Sequence, residues 1–318
     1  MSAEFGPFPE FSWSQSRRST FRECPRKYYY QYYGSWKGWE EGADREVRAA
    51  YRLKQITNLH LVVGSVVHDL ASQAILRVRG GNVPFTVGEL IEMGRHRLNL
   101  AWVESQKRSE WERAPRSLTM LHEFYYGSGP AGDLIAGIRE KLRLCLSNLL
   151  QAASYREALA APFADVKEAD RLDDFLLDGY KLYAQPDLLY RRGGGEYRLV
   201  DWKTGQESVL HQRQIRVYAL YVRSRSDLEP GPITACLSYL SSGTDREFPI
   251  TDEECDEARA EIRDSIAAME GYLASTETYE PLPKKAFPLR QDTESCRSCK
   301  FFALDEEEIE RAADQGPF

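Results

Sequence analysis

The sequence predicts an α/β fold: a mixed central sheet flanked by helices, with a helical insertion. Three observations point there. Two hairpin signals, Asp178-Gly179 and Gly193-Gly194-Gly195, separate apolar segments of strand length. A strand–helix–strand unit follows over about 197–202, 208–224 and 233–240, and its crossover places the two strands parallel in one sheet. Ahead of these, Leu134, Ile135, Ile138, Leu142, Cys145, Leu146 and Leu149 form an i, i+3, i+4 stripe within a block of helical character, 87–159.

The elements follow in order. A Gly/Pro-containing opening leads through Ser14, Ser16 and Ser19 to Phe21-Arg-Glu-Cys-Pro25 and an aromatic helix. Residues 51–79 read as one helix or two, with Leu61, Val62, Ser65, His68, Asp69 and Ser72 near one face, before a break at 80–84. The helical block is interrupted at 127–132. After Pro162 the period shortens: Val166, Phe175-Leu-Leu177 and the stretch 180–190 read as strands joined through Asp178-Gly179. Thr251-Asp-Glu-Glu254 caps a helix to about Ala274. The divisions are an N-terminal segment with the first core helices (1–85), a helical insertion (86–160), a sheet-bearing core (161–275) and a cysteine-containing C-terminal segment (276–318).

Length and composition bound the function. The 318 residues, 42% hydrophobic and 29% charged, match a soluble globular chain and exclude collagen-like, disordered or low-complexity ones. No uncharged apolar run approaches the ~20 residues of a membrane span. Aromatics and charges fill the N-terminal region where a signal peptide needs a bare apolar stretch. The expectation is a cytoplasmic protein with no membrane partner. Lys and Arg total 42 against 49 Asp and Glu, a net charge of −7. That removes nonspecific, charge-driven coating of DNA, while a local basic groove or cation-holding carboxylates remain compatible with it.

The segment from Ala184 to Gly205 is the most informative. Asp187 lies seven residues before Gly194 and Asp201 seven after. A hairpin folded about Gly194 therefore sets the two carboxylates opposite each other, with Cβ atoms ~5 Å apart, where like charges repel. A divalent cation between them removes the penalty. Lys203, two residues beyond Asp201, points to the same face. Two carboxylates and an ammonium suit metal-assisted hydrolysis: oxygen ligands for Mg²⁺ or Mn²⁺, and a lysine to orient or deprotonate water or to stabilise a phosphoryl transition state. Asp-x-Lys is also an ordinary solvated strand face, and the register decides between the two readings.

Pro186-Asp187 followed by Asp201-Trp202-Lys203 resembles the PD-(D/E)XK nuclease superfamily. The closer resemblance is to its RecB-type branch and, within it, to the CRISPR-adaptation nucleases that carry an iron–sulfur cluster. Asp201-Trp-Lys-Thr-Gly205, Gln214-Ile-Arg-Val-Tyr218, Gly64-Ser-Val-Val-His68, and Ser14-x-Ser16 with Phe21-Arg-Glu-Cys24-Pro-Arg-Lys-Tyr28 match that branch's motifs in order; residues 86–160 match nothing in it. The resemblance implies a restriction-endonuclease-like core and Mg²⁺- or Mn²⁺-dependent cleavage of DNA, on single strands or ends. DNA is then the partner, alongside other subunits of a defence or repair complex.

It also implies roles. His68, Asp187 and Asp201 are metal ligands, with the Trp202 carbonyl assisting; Lys203 is the catalyst; Gln214 and Tyr218 position substrate phosphate or the lysine. Read from the residues alone, His68 is a hydrogen-bonded core histidine, and Gln214 and Tyr218 are the polar edge of an amphipathic helix. Glu168 is a further carboxylate or a solvated strand residue. Cys24, Cys296 and Cys299 resemble the branch's cluster site, with Asp305 where a fourth cysteine belongs. An iron–sulfur cluster with an oxygen ligand, a Zn²⁺ site and a degenerate remnant all stay open. Cys145 and Cys236 read as core residues and Cys255 as incidental. The Tyr28–Tyr33 run reads as packing of the N-terminal helix, or as a platform for unpaired bases, and Trp36 and Trp39 share that ambiguity. Two rival classes remain: a non-catalytic nucleic-acid-binding or assembly subunit that keeps the nuclease fold, and a structural zinc protein.

Overall fold

The structure of the protein, a computed structural model, describes residues 6–127, 129–162, 166–169, 171–290, 292 and 294–314. The helices are α1 (Gln15–Glu23), α2 (Pro25–Tyr29), α3 (Arg45–Lys54), α4 (Leu59–Arg79), α5 (Val87–Ser105), α6 (Arg108–Arg113), α7 (His122–Tyr125), α8 (Gly132–Gln151) and α9 (Ala153–Ala160). They continue with α10 (Val209–Ser224), α11 (Asp252–Glu270) and α12 (Phe302–Asp314). The strands that position the site are β1 (Val166–Ala169), β2 (Asp173–Leu177), β3 (Tyr180–Ala184), β4 (Leu188–Arg191), β5 (Tyr197–Lys203), β6 (Ile233–Tyr239) and β7 (Thr244–Pro249).

Five of these strands form one mixed sheet in the order β1-β4-β5-β6-β7. β5 and β6 are parallel, as the crossover through α10 requires; every other neighbouring pair is antiparallel. β5 is buried along nearly its whole length. Its sequence, Tyr-Arg-Leu-Val-Asp-Trp-Lys, does not alternate apolar and polar because helices cover both faces. On one face Leu199, Leu237 and Ala235 pack with Ile215 and Ala219 of α10 and Ile262 and Ile266 of α11. On the other, Val200, Trp202 and Cys236 pack with Val63 and Val67 of α4 and Leu142, Leu146 and Leu149 of α8. The stripe read on α8 thus faces the sheet core, and Cys145 and Cys236 are core residues, as is Cys255 on α11.

Local chemistry sets the ends. Asn58 accepts from the Leu61 N–H to start α4, Thr86 and Glu89 form a capping box on α5, and Thr251 and Glu254 form another on α11. Residues 51–79 resolve into two helices. By length and composition α4 could span a membrane, but half of that stretch is buried inside the molecule, as in a core helix.

The two hairpin turns form at the expected glycines. Asp178 and Gly179 both take positive φ, the backbone of a two-residue type I′ turn. The stretch 180–190, read as continuous, is broken: β2 and β3 form a two-stranded sheet of their own, and β4 begins after Gln185-Pro186-Asp187. Pro186 has no N–H for a ladder and restricts the residue before it, so the strand ends there. The break lets β3 leave the main sheet to pair with the N-terminal segment, where Trp13 donates to Lys181 O and accepts from the Tyr183 N–H, both at 2.8 Å.

Candidate active site

The register is the one that a fold about Gly194 requires. Leu188 faces Val200, Leu189 faces Leu199, Tyr190 faces Arg198 and Arg191 faces Tyr197. One step further, Asp187 stands opposite Asp201. Both side chains are buried, at 5% and 2% exposure, so a solvated strand face does not describe them. α4 passes this end of the sheet closely; a Cβ on Gly64 would lie 3.4 Å from Thr204 Oγ1. Four residues further along α4, His68 reaches Asp187.

Each carboxylate has a cationic partner. His68 Nδ1 lies 2.7 Å from Asp187 Oδ1, and the Trp202 N–H donates to Asp187 Oδ2 at 2.6 Å, so both Asp187 oxygens are held. Lys203 Nζ lies 2.6 Å from Asp201 Oδ2 and donates to Gln214 Oε1 at 2.7 Å. Gln214 Nε2 in turn donates to Tyr218 OH at 2.6 Å. The structure thus brings together His68, Asp187, Asp201, Lys203, Gln214 and Tyr218, residues drawn from two helices, one strand and one strand-end. Trp202 enters through its N–H, while its ring is buried in the sheet core.

The electrostatics follow from burial. Desolvation works against ionising Asp187, but the charge and hydrogen bond of His68, with Lys203 and the Trp202 N–H, hold its carboxyl below the ordinary value. Desolvation dominates at Asp201, is only partly offset by Lys203 and is reinforced by Asp187, so its pKa is raised. At His68, burial opposes the imidazolium but the Asp187 carboxylate outweighs it, pushing the ring up to about 9. Two neighbouring buried carboxylates are tolerable only because positive charge is held against them.

Two buried carboxylates with an imidazole beside them are the donor types a divalent cation takes, although the donor atoms of His68, Asp187 and Asp201 do not all lie within 4.8 Å of one another. Asp201 Oδ2 is buried against the Lys203 ammonium at 2.6 Å, and a carboxylate oxygen has a second lone pair to offer a cation. Carboxylate oxygens are the ligands of hard divalent cations, and an imidazole widens the set toward softer ones. Among the described residues, three donor atoms lie within 4.8 Å of one another at Cys236, Asp245 and Glu247. That cluster adjoins Arg198, fully buried and ion-paired to Glu247, so a guanidinium already supplies its positive charge. The side chain of Glu168 lies outside the described residues.

Cys24, Cys296 and Cys299 line one cavity of about 30 Å³. Burial, with the neighbouring Cys24, raises the thiols of Cys296 (to about 11) and Cys299. Asp305 corrects the expectation of a fourth ligand there. It lines the same cavity, but its Oδ1 accepts from Arg26 Nη1 and from Tyr30 OH, each at 2.8 Å, so it is already committed to an ion pair. Three thiols and a committed carboxylate do not fit a four-ligand cluster. The Tyr28–Tyr33 run packs inward: Tyr28, Tyr30 and Tyr33 are buried, and the Arg17 guanidinium donates to the Tyr28 and Tyr33 hydroxyls.

Sequence reasoning missed His211 and Tyr239, which flank Lys203; His211 Nδ1 lies 3.2 Å from Tyr239 OH. The signal was present, because His211 is three residues before Gln214 and so shares its face of α10.

A family model of the PD-(D/E)XK nuclease superfamily matches residues 12–304. Among solved structures, SSO0001 is similar at 15% identity and a TM-score of 0.27, covering 76% of this chain and 95% of that one. No curated protein matches the chain.

Proposed function

The chain belongs to the PD-(D/E)XK nuclease superfamily, and from that premise we propose a divalent-metal-dependent nuclease of the RecB-type branch that hydrolyses DNA phosphodiester bonds on single strands or ends. The observation that carries this reading is the buried pair Asp187 and Asp201 at one end of the sheet, met by His68 from α4 and Lys203 from β5. His68, Asp187 and Asp201, with the Trp202 carbonyl, would hold the cation. When bound, Mg²⁺ or Mn²⁺ makes water more acidic and offsets charge developing on the phosphoryl oxygens.

The chain's own residues supply the rest. The Trp202 N–H fixes the rotation of the Asp187 carboxylate. Gln214 and Asp201 hold the Lys203 ammonium, and Tyr218 steadies Gln214 from the far side. Held this way, Lys203 orients the attacking water and donates hydrogen bonds to the pentacovalent phosphate. Burial strengthens each of these interactions relative to water.

The test is incubation of purified protein with Mn²⁺ or Mg²⁺ and end-labelled DNA. Cleavage should fall about 100-fold or more in both Asp201→Ala and Lys203→Ala; near-wild-type activity in both refutes the assignment. Isothermal titration with Mn²⁺ separates the alternative of a non-catalytic subunit, for which no binding would depend on Asp187. Metal analysis and visible absorbance of the same preparation test the cysteine-lined cavity independently.

A further inference from the structure

We propose that the cleft between α3 and the segment following α6 binds single-stranded nucleic acid, with Trp39 as a stacking platform and Arg52, Arg113 and Arg116 as phosphate ligands. The cleft, of about 310 Å³, is lined by these residues together with Tyr51 and Arg48. It rests on the nuclease reading only for the identity of the polymer; the site itself shares no residue with the candidate active site.

Trp39 is 43% exposed, and among the described residues no other aromatic side chain is more than about a third exposed. It is also held in place. Trp36 meets it edge-on at 5.1 Å between ring centroids, and Tyr51 of α3 lies at 5.8 Å. The loop before it is pressed onto α3 at Gly38, where a Cβ would come within 2.4 Å of Tyr51 Cβ and 2.6 Å of Val47 O. A fixed, partly exposed indole offers a surface on which a base can stack, independent of sequence.

The charges around it point to phosphate. Arg48 has a structural task, since its guanidinium donates to the carbonyls of Glu40, Glu41 and Ala43. Arg113 Nε donates to Ser109 O at 3.2 Å, but among the described residues no carboxylate lies within ion-pair distance of Arg52, Arg113 or Arg116, although more than half of the arginines in this acidic chain are paired. Of the three glutamates that also line the cleft, Glu112 is answered by Arg108 at 3.0 Å and Glu40 by Lys37 at 3.9 Å, while Glu41 lies at the exposed rim. Three guanidiniums without carboxylate partners beside an exposed indole match a track that holds backbone phosphates and stacks a splayed base. In the chain, α3 precedes α4, the helix that carries His68.

The experiment is fluorescence anisotropy of a labelled oligothymidylate titrated with full-length protein in EDTA, where nothing is cut, at several NaCl concentrations. Arg52→Gln with Arg116→Gln should weaken binding about tenfold or more at low salt and flatten the log–log salt dependence by ~0.7 for each phosphate that is no longer neutralised. Trp39→Ala should weaken it about 5- to 100-fold with the salt slope unchanged, and Trp39→Phe should restore most of the affinity. Arg143→Gln, on α8, should bind as wild type. Overturning results are wild-type protein that does not bind, variants that bind like wild type, or equal affinity for a blunt duplex, in which no base is free to stack. Cleavage with Mn²⁺ is read separately: a protein that cuts but fails these tests loses the cleft and keeps the nuclease reading, and one that passes them without cutting does the reverse.

Discussion

Gln214 illustrates how one side chain separates positioning from chemistry. It accepts from Lys203 and donates to Tyr218, so it fixes the ammonium without facing a reacting atom itself. Gln214→Ala is expected to lower kcat about 10- to 100-fold with little change in KM, whereas Lys203→Ala should cost about 10²–10⁴-fold, as removal of an acid–base group does. Single-turnover cleavage of end-labelled DNA distinguishes the two. His211 sets a pH limit. Burial, and then the Lys203 charge, lower its imidazole to about 4 from an ordinary 6.5. The unfolded chain therefore binds the proton more readily between those values, so the contribution is complete above pH 6.5 and is lost as pH falls toward 4. Urea melts at pH 7 and pH 5 should show stability falling by on the order of 1–2 kcal/mol from this group, allowing for its partial exposure. His211→Gln should remove that part of the slope.

At the scale of elements, the candidate active site depends on a turn built from glycine. Gly194 and Gly195 both have positive φ, and the register they set brings Asp187 opposite Asp201. This turn is braced by Gly231, where a Cβ would stand 2.4 Å from Gly195 O. The Tyr197 N–H donates to Pro232 O at 2.8 Å, so the start of β6 is pressed against the β4–β5 hairpin. Gly231→Ala must move one of two backbones, and a loss of about 2–3 kcal/mol is expected in chemical denaturation, in the range of overpacked sites. Thr251→Ala, which removes only the α11 cap, should cost about 1 kcal/mol and leave cleavage unchanged.

Across the whole molecule, the chain ends are joined by Arg26. Its guanidinium donates to Phe287 O at 2.8 Å, Asp305 at 2.8 Å and Glu308 at 2.9 Å, tying α2 to α12. Asp305 is buried, so truncating Arg26 strands a carboxylate that has only Tyr30 OH and, at 3.9 Å, the Lys284 ammonium nearby. Arg26→Ala should lower stability by about 3–5 kcal/mol in urea melts, as loss of one partner from a buried pair does. The double variant Arg26→Met with Asp305→Leu should recover part of that stability, because no buried charge is then left alone. This clasp was not legible in the sequence: Arg26 and Asp305 are 279 residues apart, and nothing local marks either for the other. The same distance explains why Asp305 read as a substitute ligand when its partner is an arginine.

What the sequence determined by itself is what short-range chemistry encodes. Turn glycines, the symmetric spacing of Asp187 and Asp201 about Gly194, the caps of α11 and the helical stripe of α8 each act within a few residues, and each is present where the pattern put it. The tertiary structure alone decided which long-range partners meet. It carried His68 on α4 to Asp187, broke the strand at Pro186 so that β3 pairs with Trp13, and gave Asp305 to Arg26. Those pairings depend on how two helical layers pack against a sheet. Packing is a collective choice of the whole chain, and no local spacing records it.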